Sequence, residues 1–168
     1  MVANGDITVT LPDRSQKTFP SQTSIKEVAD AIGPGLSRAA LAGKVEGMPV
    51  DLSALLESDA LVEILTFAAP EGKEVYWHST AHILAQAVQD LFPDVKVTIG
   101  PPIENGFYYD FDREQPFTPD ELEKIEDRMQ EIISEDQRFE RQEVSREEAL
   151  KIFEDLDEAY KLEILAKI

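Results

Sequence analysis

Two hydrophobic periods alternate along the 168 residues and predict an α+β fold in two parts. Runs of period two, such as Ile7-Thr8-Val9-Thr10, read as half-buried strands, and Ile25, Val28, Ala29 and Ile32 share one helical face. Capping signatures mark three helix starts, Ser24 with Glu27, Thr118 with Glu121 and Ser145 with Glu148. Ala68-Ala69-Pro70-Glu71-Gly72 has the composition of a linker, so the division falls at 68–73, between parts 1–67 and 74–168.

In the first part, Ile7–Thr10 and Lys17-Thr18-Phe19 flank the turn formers Pro12-Asp13-Arg14-Ser15, which predicts a hairpin over 6–20. The helix capped by Ser24 stops at Gly33, and Gly33-Pro34-Gly35 reads as a turn. Short apolar segments follow at Ala39–Val45, Met48–Val50 and Leu61–Phe67, with Leu52–Asp59 as a connection. A helix on one face of a small mixed sheet buries all these stripes, the pattern of a β-grasp, ubiquitin-like module.

In the second part, a helix is predicted from Glu74 to Phe92, ended by Pro93-Asp94, with Leu84, Ala87, Val88 and Leu91 facing the core. Lys96–Ile99 and Phe107–Phe111 read as strands joined by Gly100–Gly106, reversed at Asn105-Gly106. Pro119 then opens a helix whose buried stripe is Leu122, Ile125, Met129, Ile132 and Ile133. Arg138–Val144 reads as a strand, and Ser145 opens a helix carrying Ala149, Ile152, Phe153 and Leu156. The alternation in Tyr160-Lys161-Leu162-Glu163-Ile164-Leu165 predicts a last strand, pairing back onto the hairpin.

Composition excludes several classes of function. With no cysteine there are no disulfides, thiolate metal sites or cysteine nucleophile, which fits a reducing, cytoplasmic setting. No apolar run reaches eighteen residues, so no membrane helix is expected. The formal net charge is −18, and residues 112–168 alone carry 9 basic and 19 acidic side chains. Such a surface opposes general nucleic-acid binding, which needs cations to neutralise phosphates.

The only two histidines lie in Trp77-His78-Ser79-Thr80-Ala81-His82. Four-residue spacing on a helix brings both imidazoles to one face, with Gln86 and Gln89 continuing roughly the same side. That suits two ligands of one metal ion, two polar contacts to one substrate, or simply two exposed histidines. A zincin would need Glu where Ser79 stands, and a stable zinc site would need a third ligand, so metal binding by His78 and His82 is expected to be weak. Ser79, next to His78, points elsewhere on the helix and is no activated nucleophile. The pair reads as half a site. Ile99-Gly100-Pro101-Pro102-Ile103-Glu104-Asn105-Gly106-Phe107-Tyr108-Tyr109-Asp110 is a Gly/Pro-shaped hairpin whose tyrosines serve either packing or binding.

Together these two segments closely resemble the N-terminal region of bacterial threonyl-tRNA synthetases, and Leu11-Pro12-Asp13, Ile32-Gly33-Pro34-Gly35-Leu36 and Ala42-Gly43-Lys44-Val45 resemble the TGS domain of that family. The resemblance implies a TGS domain followed by the first part of an editing domain, which hydrolyses serine wrongly attached to threonine tRNA. It assigns catalytic roles to His78, His82 and Lys161, and contact with the mischarged 3′ end to Tyr109 and Gly100. The family's Asp-x-Cys-x-Gly-x-His segment is not in this sequence. The chain is therefore expected to be a monomeric N-terminal fragment with little or no editing of its own. The resemblance places ATP, magnesium, zinc and homodimerisation in a catalytic core outside it. The alternative is a non-catalytic TGS-type interaction module, which gives no reason for the HSTAH and NGFYYD segments.

Overall fold

The computed structural model describes residues 5–137 and 142–167. The chain divides into two compact units, Met1–Tyr76 and Trp77–Ile168. In the first, β1 (Asp6–Thr10) and β2 (Gln16–Pro20) form the expected hairpin, with Arg14 at φ 68° in the turn. The two-residue β3 (Thr23–Ser24) leads into α1 (Ile25–Ile32), where Ser24 and Glu27 close a capping box. Gly33-Pro34-Gly35, read as a turn, instead starts a second short helix, α2 (Pro34–Ala39). Proline suits a first helical position because its missing N–H would have no partner there.

Then follow β4 (Ala40–Val45), β5 (Met48–Val50), β6 (Leu55–Leu56) and β7 (Ala60–Thr66). The sheet order is β2-β1-β7-β4-β5, with β1 and β7 parallel and the other neighbours antiparallel. Between β4 and β5, Glu46 and Gly47 both take positive φ, the backbone of a two-residue hairpin whose twist matches its strands. The Leu52–Asp59 connection holds β6, which pairs with β3. Ile7, Val9, Ile25, Val28, Leu56 and Val62 form the core between α1 and the sheet. This is the β-grasp arrangement of an α+β fold.

Residues 70–73, read as linker, are the first turn of α3 (Pro70–Leu91). Pro70 takes the first helical position, and a β-carbon on Gly72 would stand 2.0 Å from the Thr66 carbonyl oxygen. Glycine here permits contact with the end of β7 rather than flexibility. The boundary between the two compact units falls inside this helix, after Tyr76.

In the second unit α3 is followed by β8 (Lys96–Val97), β9 (Pro102–Ile103), β10 (Gly106–Phe107) and β11 (Phe111–Asp112). The two strands expected at Lys96–Ile99 and Phe107–Phe111 are split. β8 pairs with β11 and β9 with β10, with a one-residue change of register between the pairs. The reversal is at Glu104-Asn105, and Gly106, at φ 149°, follows it. The helix α4 (Pro119–Ser134) starts in the capping box of Thr118 and Glu121.

Ala87, Val88, Val95, Ile125 and Ile132 make the second core, joined by Leu84, Phe92, Phe111, Phe117 and Met129. Leu91, Leu122 and Ile133, expected inside, are exposed. Leu122 and Ile133 lie on one edge of the α4 stripe, and Leu91 is the last residue of α3. Burial of Ile125 and Ile132 contributes about 1.5–3 kcal/mol each. The partly exposed ion pair of Arg128 with Asp90 of α3, at 2.8 Å, contributes about 0–1 kcal/mol, so apolar packing does most to seat α4.

The strand expected over Arg138–Val144 falls at 138–141 outside the described residues, and Gln142, Glu143 and Val144 are in no strand. Ser145 and Glu148 cap α5 (Arg146–Asp155) as the spacing predicts. The last expected strand is a helix, α6 (Ala159–Lys167), so it does not pair with the hairpin. Six alternating residues were too short a signal, and Leu, Lys, Glu and Ala favour helix with no Gly or Pro to stop it. No helix among the described residues is long and apolar enough to cross a membrane.

Candidate functional site

The site is built first on α3. Ala81, Ala85, Ala87 and Val88 are buried, and His78 and His82, on one flank of that stripe, are exposed. Their rings stack with centroids 4.8 Å apart and planes 20° from parallel. Burial pushes the His82 imidazole below its ordinary range, and the charges of His78 and Lys161 push it the same way. His82 is therefore neutral at neutral pH and has a lone pair able to accept a proton. Neither imidazole makes a side-chain hydrogen bond among the described residues, so both are available to a substrate.

Lys161 comes from α6, about eighty positions later, and its ammonium acts electrostatically on His82. It has no carboxylate partner among the described residues, although the chain carries 34 acidic side chains. An uncompensated cation beside a neutral imidazole favours an anionic or oxygen-rich ligand.

Tyr109 belongs to the hairpin between β10 and β11. Its ring stacks on Phe111 at 4.8 Å, Phe111 meets Phe117 edge-on at 5.7 Å, and Phe117 lies 5.6 Å from Phe92. This row ties Tyr109 to the second core. Gly100 closes on the ring, since a β-carbon there would stand 2.0 Å from Cδ2 of Tyr109. Gly100 acts here on Tyr109 through backbone proximity. Burial raises the Tyr109 phenol, and Glu158 raises it further, so it stays protonated and able to donate.

His78 and His82 are thus in direct contact, Lys161 is coupled to His82, and Tyr109 is linked to the base of α6 through Glu158. Gln86 and Gln89 are engaged by other side chains: Gln86 donates to Gln137 at 3.1 Å and Gln89 to Glu158 at 2.8 Å. Sequence reasoning missed Glu158, Tyr160 and Asp112. Tyr160 donates to Asp112 at 2.8 Å, and nothing in spacing or composition points to a partner 48 positions away.

The residues present do not fit a metal centre. There is no cysteine, and among the described residues no group of three His, Asp or Glu side chains is placed to hold an ion. No step is assigned to zinc or magnesium here.

Residues 7–66 match the family model of the TGS domain. Over 162 residues, 96% of its length, the chain is 56% identical to a threonine–tRNA ligase of Desulforamulus reducens, of which it covers 26%. It is 52% identical over 162 residues to that of Thiobacillus denitrificans, with 96% of this chain and 25% of the relative aligned. It is also 52% identical over 160 residues to that of Symbiobacterium thermophilum, again 25% of the relative and 95% of this chain. The chain spans about a quarter of the length of these relatives. A TGS domain and half-identical alignment over nearly the whole chain place it in the threonine–tRNA ligase family, whose N-terminal part it represents.

Proposed function

We propose that the second unit takes part in hydrolytic proofreading by a threonine–tRNA ligase, clearing serine from mischarged threonine tRNA. The observation that carries this reading is the stacked His78–His82 pair, on which the charge of Lys161 acts. Threonine exceeds serine by one methyl, a difference worth about 1–3 kcal/mol in a binding pocket, so a hydrolytic sieve is physically needed.

The seryl ester is hydrolysed by water. His82 takes the water proton as oxygen attacks the carbonyl carbon, the carbon–ribose oxygen bond breaks, and the ribose oxygen recovers a proton. Lys161 offsets negative charge on the carbonyl oxygen or the terminal phosphate, and the protonated Tyr109 donates to the 3′ end. Threonine tRNA in the cytoplasm is the partner. The net charge of −18 opposes its phosphate backbone, so the tRNA body is held by the parts of the ligase beyond the matched quarter. ATP-dependent charging belongs to those parts as well.

The direct test titrates the chain with an amide analogue of 3′-seryl adenosine while imidazole NMR signals are followed. Shifts of both histidines that vanish in Lys161→Met, together with slower seryl-tRNA hydrolysis when His82→Ala is placed in the full ligase, are expected. Unmoved histidines at millimolar analogue, or unaltered hydrolysis, overturn the reading and leave an interaction module.

A further inference from the structure

We propose that Glu158 and Tyr160, both just N-terminal to Lys161 in sequence, are positioning residues that latch the first turn of α6 to α3 and β11 and so hold Lys161 at the histidine pair. The inference rests on the proofreading reading for its purpose, and on geometry for its substance.

α6 has no buried residue, and neither has α5. Ile152, Leu156 and Ile164 are all exposed. Apolar burial of about 1.5–3 kcal/mol per side chain, the force that seats α4, is therefore largely missing here. Arg146 donates to the Leu165 carbonyl at 2.7 Å, which joins α5 to α6 without attaching either to the rest of the unit.

Two side-chain hydrogen bonds do attach them. Gln89 on α3 donates to Glu158 at 2.8 Å, and Tyr160 donates to Asp112 of β11 at 2.8 Å. The Glu158 carbonyl accepts the Lys161 and Leu162 amides, so Glu158 also begins the turn that carries Lys161. A further link among the described residues, Lys96–Asp157 at 3.7 Å with Asp157 almost fully exposed, contributes little.

The two anchors are distinct in direction. Gln89 lies seven residues, about two turns, after His82 on the same helix, so Glu158 fixes α6 relative to the helix that bears the histidines. Asp112 follows Phe111, on which Tyr109 stacks, so Tyr160 fixes α6 relative to the tyrosine. Lys161 directly follows Tyr160, so both anchors hold the backbone that carries it. The bond to Asp112, and after it burial, raises the Tyr160 phenol, so it remains a donor at neutral pH.

The test needs no substrate. The charged groups acting on His82 are His78 from α3 and Lys161 from α6, and Lys161→Met removes one of them while His78 stays. In the whole chain, the His82 NMR titration midpoint should rise in Lys161→Met. Tyr160→Phe, which loses only a hydroxyl, should raise it by at least half as much with unaltered circular dichroism. Adding Tyr160→Phe to Lys161→Met should then change nothing further. Asp112→Asn keeps an acceptor and should leave the midpoint closer to wild type than Asp112→Ala does. A His82 midpoint unmoved by Tyr160→Phe, or additive effects in the double variant, would overturn the latch. So would an unmoved midpoint in Lys161→Met. Latched behaviour together with seryl-tRNA hydrolysis that His82→Ala leaves unaltered in the full ligase would instead remove the proofreading reading and leave the latch standing.

Discussion

Gly100 and Tyr109 approach so closely that no side chain fits between them: an added β-carbon would lie 2.0 Å from Cδ2 and 2.4 Å from Cε2 of the ring. The contact lies where the register changes between the two short strand pairs of the hairpin. The close packing, rather than backbone flexibility, requires glycine.

Gly100→Ala should therefore dislodge Tyr109 from Phe111. Overpacking of this kind costs about 1–3 kcal/mol. Urea unfolding of the chain should show that loss, and binding of the seryl analogue should weaken. Because Tyr109 is stacked rather than interlocked, Gly100→Ala combined with Tyr109→Ala should recover part of the lost stability. An alanine variant as stable as the parent would show that the ring swings aside freely.

Acid should loosen the start of α4. Arg113 makes two hydrogen bonds to Glu121 and lies over the rings of Phe92 and Phe117, at 5.0 and 4.5 Å. The guanidinium, and after it the Thr118 amide, hold the Glu121 carboxyl down at about 2. A depressed carboxyl stabilises the fold above its ordinary value near 4.5 and loses that contribution as pH falls towards 2. Stability should thus decline between roughly pH 4.5 and 2, and Glu121→Gln should flatten that part of the profile. A profile with the same slope in both proteins would assign the decline to other carboxylates.

The capping box of Ser145 should matter more to its helix than that of Ser24. Loss of a capping hydroxyl costs about 0.5–2 kcal/mol. In α1 the cost is met by a helix with Ile25, Val28 and Ala29 buried, whereas α5 has no buried residue to resist fraying. Hydrogen exchange should therefore quicken throughout α5 in Ser145→Ala, and only in the first turn of α1 in Ser24→Ala. Equal, local changes in both helices would mean that α5 has support outside its own turn.

Features specified within a turn or two were legible in the residues alone. The three capping boxes, the first hairpin and the facing of His78 and His82 depend on neighbours three or four positions apart, or on alternation ended by turn formers. Pro34 and Pro70 were misread for the same local reason, since proline marks both a turn and a first helical position. Tyr160–Leu165 shows the limit from the other side: strand and helix patterns are both compatible with six residues, and propensity prevails without a neighbouring strand to pair with.

The relationships that make a site of these residues were of another kind. Lys161 beside His82, Gly100 under Tyr109, and Tyr160 bonded to Asp112 each join elements whose separation in sequence carries no periodic signal. Each depends on how two hairpin ends, α3 and α6 pack, because a side chain's charge and hydrogen bonds act through space. Local chemistry sets which faces are polar and where helices begin. Packing of the second unit sets which of its few cations and phenols can act on one substrate.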